Sequence, residues 1–447
     1  MPESGENGHG TPSREDVLDG PVPERPAPRT SFHRGRDFIA IVVIVVVAVV
    51  AGVLIGTSSD IAATTSQTGP AEAETPEDPS TLPPTFGEVW RAPSGATPVP
   101  VAVGPTVVTG DGGEVVGHDP LTGSVRWRYA RDIPLCTVGS AWSEAIAVFR
   151  RTETDLPSSD SYSGGNCSEV TTLKAASGER DRQRNGDAEV GTRLLSDGVH
   201  VTATGKRLLN TWRSDLVLTM QYGTLPDLVN PDKQPRTNCN YGSVAVSAGR
   251  IAVIERCPAK TDGSSNENDR LSVYKPTAKE SDTPTVDFSV PVGGRGARLV
   301  AMNETMVAVA LPSPARLAIF DSAGTSTVEL PLPIPESDLA GDPPTGAVST
   351  TRTTGALYWF TGTSTIALSL TDLRPLWTVQ DTLGSGTVFA GYLLLPVQGA
   401  LLVIDQASGA QVARAPVNRQ DYDGPVSMAT LGPIVLEQRG STLVALR

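Results

Sequence analysis

The sequence predicts an all-β, eight-bladed propeller preceded by a single transmembrane helix, and three observations carry that reading. One 19-residue run, Phe38 to Gly56, holds no charged or strongly polar side chain. From Phe86 onward, short β-prone runs alternate with turn residues, and a Gly…Asp…Gly spacing recurs among them. The last unit lacks its final strand, and a matching strand stands at the start of the same region.

The elements follow in chain order. Residues 1–37 combine Pro, Gly, Glu and Arg without apolar periodicity and read as a disordered cytoplasmic tail. The run 38–56 is the transmembrane signal-anchor. At about 1.5 Å per residue it spans roughly 28 Å, close to the ~30 Å hydrocarbon core of a bilayer. Arg25, Arg29, Arg34 and Arg36 precede it and the next basic residue is Arg91. That asymmetry places the N-terminus inside and the bulk of the chain outside the plasma membrane. A cleaved signal peptide is the rival, but its apolar region is about 7–15 residues and ends at a small-x-small site. This run is longer, and Gly56-Thr57-Ser58-Ser59 is a weak cleavage site. Residues 57–85 are rich in Ser, Thr, Ala, Pro and Glu and read as an extended extracytoplasmic linker holding the following domain off the membrane.

Composition narrows the function classes. A net charge of −13 argues against a nucleic-acid partner, which requires a basic surface. Aromatic content of 5% with 44 Gly and 37 Pro fits many turns and short strands. All four cysteines follow the apolar run, so two disulfides are expected outside the cytoplasm. Of three pairings, Cys136–Cys167 and Cys239–Cys257 are favoured, because shorter loops close more readily. No cysteines have CxxC spacing and only four histidines exist, so a structural metal site is disfavoured.

Residues 86–447 form the domain, and their self-similarity identifies it. Gly113-Glu-Val-Val-Gly-His-Asp119-Pro-Leu-Thr-Gly123-Ser-Val-Arg-Trp127 aligns with Gly399-Ala-Leu-Leu-Val-Ile-Asp405-Gln-Ala-Ser-Gly409-Ala-Gln-Val-Ala413. Each copy reads strand, turn, strand. The Asp accepts backbone N–H bonds inside the turn, and the closing Gly takes a positive φ. Weaker copies run through Lys174–Gly178, Asp321–Gly324 and Ile366–Trp377. Gly440-Ser-Thr-Leu-Val-Ala-Leu446-Arg447 ends where a turn and strand would follow, and Gly87-Glu-Val-Trp90 resembles Gly123-Ser-Val-Arg-Trp127. The N-terminal strand therefore completes the last blade and closes a ring. Blades are expected near 99–130, 135–183, 190–226, 239–291, 297–330, 346–380 and 386–417, with the eighth joining 426–447 to 86–92. The third is weakly marked, so seven blades remain an alternative. Polar insertions fall at Thr152–Asn166 and Pro258–Asp269.

The Asp-x-x-Thr-Gly-x-x-x-Trp signature of Asp119, Thr122, Gly123 and Trp127 resembles the repeat of pyrroloquinoline-quinone (PQQ)-type propellers. That superfamily includes the quinoprotein alcohol dehydrogenases and the BamB lipoprotein. The resemblance covers about Phe86 to Arg447. It extends to membrane-anchored PQQ-like proteins of high-GC Gram-positive bacteria. It implies that Asp119, Trp127, Trp377, Asp405 and Trp90 are scaffold residues joining neighbouring blades. The quinoprotein enzymes hold PQQ between a Trp and a disulfide of adjacent cysteines beside a Ca²⁺ ion. No two cysteines are adjacent here.

No GxSxG, HExxH or P-loop motif is present. His118, inside a repeated strand, reads as a half-exposed strand residue rather than a base. The acidic stretch Asp155–Asp160 lacks the EF-hand pattern and reads as a solvated loop. No catalytic, cofactor-binding or metal residues are therefore named, and no cofactor is expected. The reading is a non-catalytic binding or scaffold module of the bacterial cell envelope, with a protein or peptide partner and the bilayer as its contacts. The alternative is a divergent PQQ- or metal-dependent oxidoreductase using PQQ with calcium.

Overall fold

The computed structural model describes residues 35–57, 59, 62–150, 167–225, 230, 232–258 and 268–447. The tail expected over residues 1–37 lies outside them up to residue 34, as do the acidic stretch Asp155–Asp160 and most of both insertions. Gly35–Thr57 is one α-helix, slightly longer than the apolar run. Its apolar side chains are exposed, and it is long and apolar enough to cross a membrane.

Ala63–Arg447 forms the second unit, an eight-bladed propeller. The blades cover 101–131, 135–188, 194–223, 240–291, 298–331, 350–380, 387–416 and, for the eighth, 426–446 with 88–93. Each is an antiparallel four-strand meander. The weakly marked third unit is a full blade, which settles the count at eight. Glu88–Pro93 pairs with Thr442–Leu446, Glu88 opposite Leu446, and closes the ring. Gly87 and Arg447 exchange backbone hydrogen bonds of 2.8 and 2.9 Å at the seam.

The strand sequences explain this layering. Second strands such as Glu144–Phe149 and Val307–Pro312 are almost continuous aliphatic runs buried on both sides. Outer strands such as Ser326–Pro331 alternate exposed and half-buried residues. A sheet covered on both faces needs the first pattern, and a rim strand needs the second. The core is accordingly divided. Eight separate apolar clusters form, each drawn from two neighbouring blades, such as Trp127 with Phe149 and Leu173 between blades one and two. Fully burying one such side chain contributes about 1.5–3 kcal/mol, so every interface is stabilised locally.

Residues 57–85 depart from the expected spacer. Thr64–Gln67 forms a fifth strand on blade one, antiparallel to its outer strand, with Thr64 opposite Arg131 and Gln67 opposite Arg128. Gly69 then donates to the Ser177 carbonyl of blade two at 2.9 Å. Pro76 and Glu77 lie against Gly432 in the first turn of blade eight. Leu82 and Phe86 pack into the cluster between blades seven and eight. The reason is physical: an open outer strand offers unpaired backbone groups, and a polar segment satisfies them without needing apolar side chains. The propeller unit thus begins at Ala63 rather than at Phe86.

Candidate binding face and interblade clefts

The residues singled out in the repeat hold blades together. Asp119 Oδ1 accepts from the backbone N–H groups of Leu121 and Thr122 and from the Thr122 hydroxyl, each at 3.0 Å. Those bonds, and the Arg126 guanidinium beside it, keep its carboxyl below the usual range against the opposing effect of burial. Gly123 closes the turn with φ +72°, and a Cβ there would sit 2.6 Å from Trp90 Cγ. The Trp90 indole covers that glycine and donates to the Pro120 carbonyl at 2.9 Å. Trp127 donates likewise to Ala175 O in blade two, and Trp377 to Gln406 O in blade seven. Each Trp therefore docks onto the turn of the next blade. Asp405 makes the same internal turn bonds through Ser408.

His118 is buried rather than half-exposed, with 6% of its surface accessible. A register shift between Gly117 and His118 turns the ring inward beneath Trp90, whose ring stacks on it at 5.5 Å. Nδ1 lies 3.1 Å from the Gly123 carbonyl and must donate, so Nε2 accepts from the Thr109 hydroxyl at 2.9 Å. Burial pushes its pKa down. The ring is neutral and both nitrogens are spent on structure. His200 lies 3.4 Å from Asp197 Oδ2 and 3.1 Å from the Thr277 hydroxyl, while Asp197 Oδ1 accepts from the Val199 and His200 backbone N–H groups of its own turn.

Both expected disulfides are formed, Cys136–Cys167 and Cys239–Cys257. Cys239, Cys257 and Glu255 make one compact group of metal-ligating residue types. Its donors are spent. The sulfurs are bonded to each other, and the buried Glu255 accepts from Tyr222 at 2.9 Å, Tyr274 at 2.7 Å and Arg236. Burial, then the Glu255 charge, pushes both tyrosine pKa values up.

A cavity of about 480 Å³ opens into the central channel and was not legible in the motifs. It is built by the innermost strands of blades three to six: Leu194–Ser196, Asn240–Ser247, Arg298–Met302 and Thr350–Arg352. Its wall is aliphatic (Leu195, Val246, Val300, Val348). Its polar lining includes Ser247, Thr350 and Arg352 with the carboxylates Asp197 and Glu304. Arg352 reaches only the Met302 carbonyl at 3.4 Å and the Ser247 hydroxyl at 3.5 Å, and forms no ion pair among the described residues. Each innermost strand is the end strand of its sheet. The second edge is partly used in blades four and five, where Val244 bridges Ala347 and the Leu299 N–H donates to Ser243 Oγ at 2.8 Å. A cleft with apolar walls, sheet-end strands and a few polar groups suits an extended segment. The mouth lies on the face bearing the first and third turns of each blade. The segment 69–86 crosses that same face over blades two, one and eight, and among the described residues it leaves blades three to six uncovered.

No family model matches the chain, and no curated protein matches it. Solved structures do, in 809 chains. The crystal structure of BamB from Moraxella catarrhalis is 14% identical, with 81% of this chain and 98% of that one covered and a TM-score of 0.47. The crystal structure of the computationally designed Ika8 protein is 11% identical, with 80% and 98% covered and a TM-score of 0.51. At such identities the likeness is one of fold.

Proposed function

We propose that the chain is a membrane-anchored β-propeller acting as a non-catalytic binding or scaffold module in a bacterial cell envelope. Gly35–Thr57 crosses the plasma membrane with the N-terminus inside, and the propeller lies outside. The channel mouth of blades three to six takes an extended segment of an envelope protein. One observation carries this reading: the end strands of four sheets and an aliphatic wall converge there.

The test is a photocrosslinking amino acid placed in cells at Val246 or Thr350, and at Thr327 on an outer strand as control. Crosslinks to one defined envelope protein at the two channel positions but not at the control support the reading. Equal labelling at all three sinks it. So does a saturable rise in melting temperature with a visible chromophore on adding PQQ and Ca²⁺, since a ligand bound only by the native state must stabilise it. That outcome would make the chain a divergent envelope oxidoreductase.

A further inference from the structure

A second charged cleft lies between blades seven and eight, on the face opposite the channel mouth, beside the turn at Gly440. Its origin is strand geometry. Glu437 and Arg439 are two apart on Ile434–Arg439 and so share one side of the sheet. Opposite them stand Val444 and Thr442, and beyond Val444 stands Arg91 on the closing strand. Arg419 enters from the loop after blade seven. Its Nη2 and Nε bind Glu437 at 2.6 and 3.0 Å, and its Nη1 binds the Val397 and Ala400 carbonyls. Arg439 Nε donates to the same carboxylate at 2.8 Å.

Within the buried triad two guanidinium groups share one carboxylate, and the three side chains are 3%, 6% and 0% exposed. The Glu88 carboxylate on the closing strand also acts on Arg439. Arg439 Nη2 is ion-paired with Glu437 Oε2 at 2.7 Å but makes no well-aligned hydrogen bond, and Nη1 lies 3.5 Å from the Asn418 carbonyl. A positive charge in excess, withdrawn from water, is costly unless something compensates it. The adjoining cleft, about 300 Å³, is lined by Arg91, Arg419 and Arg439 with Gln420, Tyr422 and Thr442. Arg91 is held by Glu88 through Nε and Nη2, which leaves its Nη1 uncommitted among the described residues. Asp421 stands among the lining residues without an ion pair among the described residues, and it disfavours a doubly charged anion.

We propose that this cleft binds a carboxylate, received by the Arg439 and Arg91 guanidinium groups with the Thr442 hydroxyl. The planar guanidinium fork matches a planar carboxylate, and the cleft volume suits one terminal residue or a small acid. A purely structural triad would pin the loop after blade seven and ask nothing of Arg91, which lies outside it.

The experiment uses the full chain in detergent micelles and fluorescence anisotropy. The probes are a fluorescein-labelled tetra-alanine peptide with a free C-terminus, its C-terminal amide, and unlabelled succinate as competitor. Saturable binding of the free acid is expected, about tenfold or more weaker for the amide, and falling about tenfold in Arg91→Ala. Arg128→Ala, which removes an ion-paired arginine of blade one, leaves it unchanged. Succinate competing as well as peptide identifies a free small acid as the source, and failure to compete identifies a protein terminus. Arg439→Lys is expected to weaken binding further. If that variant does not fold, Arg91→Ala still decides. No saturable binding of either acid, equal affinity for the amide, or an unaffected Arg91→Ala overturns the proposal.

Discussion

The outer strands of blades eight, one and six join the next blade differently from those of blades two and three. In the first group an outer-strand Trp covers the next turn: Trp90 of blade eight, Trp127 of blade one and Trp377 of blade six. Between blades two and three the outer strand has no Trp. Arg182 and Arg184 donate instead to the Ser214 and Leu216 carbonyls of the next turn. Blades two and four each carry a disulfide, and the junction of three with four holds the buried Tyr222, Tyr274, Arg236 and Glu255 network. The lesson is that the ring needs a device at every junction, but not the same one. Where the repeat has decayed, hydrogen-bonded and charged links join the blades in place of the indole, while each disulfide braces its own blade. The channel mouth spans blades three to six and so straddles both groups.

The sharpest way to break this comparison is to remove one device of each kind. Trp127 is 1% exposed, and its truncation leaves an indole-sized void between two sheets. Trp127→Ala is expected to cost about 3–5 kcal/mol. Arg184→Ala removes a hydrogen bond to a half-buried site and is expected to cost about 1 kcal/mol. Urea melts of both variants check this. Equal losses would mean that the two junctions are not built differently.

The disulfides come next. Their loops span 31 and 18 residues, for which loop closure alone gives about 3–4 and about 3 kcal/mol. Replacing Cys136 and Cys167 together by Ser is expected to lower the urea midpoint by slightly less than Trp127→Ala does. The effect should appear first as hydrogen exchange in blades two and three, with blades six to eight still protected. Exchange rising uniformly around the ring would show that the interfaces act as one core rather than eight.

What the sequence revealed follows the same division. The Asp119–Gly123 turn, the Trp127 dock and the Glu88–Pro93 closure were legible because each is a local pattern with one backbone solution. Every blade fell within a few residues of its expected span, and only blade one gained a strand, Thr64–Gln67. Thr64–Gln67 was not legible. Its side chains carry no alternation, since it pairs through backbone groups alone. Neither was the channel, because ordinary Val, Ala and Ser residues far apart in the chain converge only after the ring closes. Glu437 and Arg439 show a period of two that marks one sheet face, but nothing in the sequence announces that Arg419 completes the triad. His118 was misplaced by one feature, the register shift after Gly117, which reverses which side faces in.

That shift also yields the smallest effect, a junction whose strength depends on pH. The folded chain holds His118 neutral, with a pKa lowered by burial. The unfolded chain binds a proton at about pH 6.5 and so binds more protons than the folded one below that value. The stability that His118 contributes is therefore complete above pH 6.5 and is lost as pH falls through its folded pKa. His118→Gln forfeits the stack with Trp90 and one ring hydrogen bond, a cost of about 1–2 kcal/mol at pH 8. Because the variant no longer has a proton to bind, its deficit should narrow between pH 7 and pH 5. The disulfide variants carry no such group, and their deficit should stay constant over the same range. A deficit in His118→Gln that stays flat on acidification would mean that folding does not lower the pKa of the ring, and one that widens would mean that the folded ring binds its proton more tightly than the unfolded chain does.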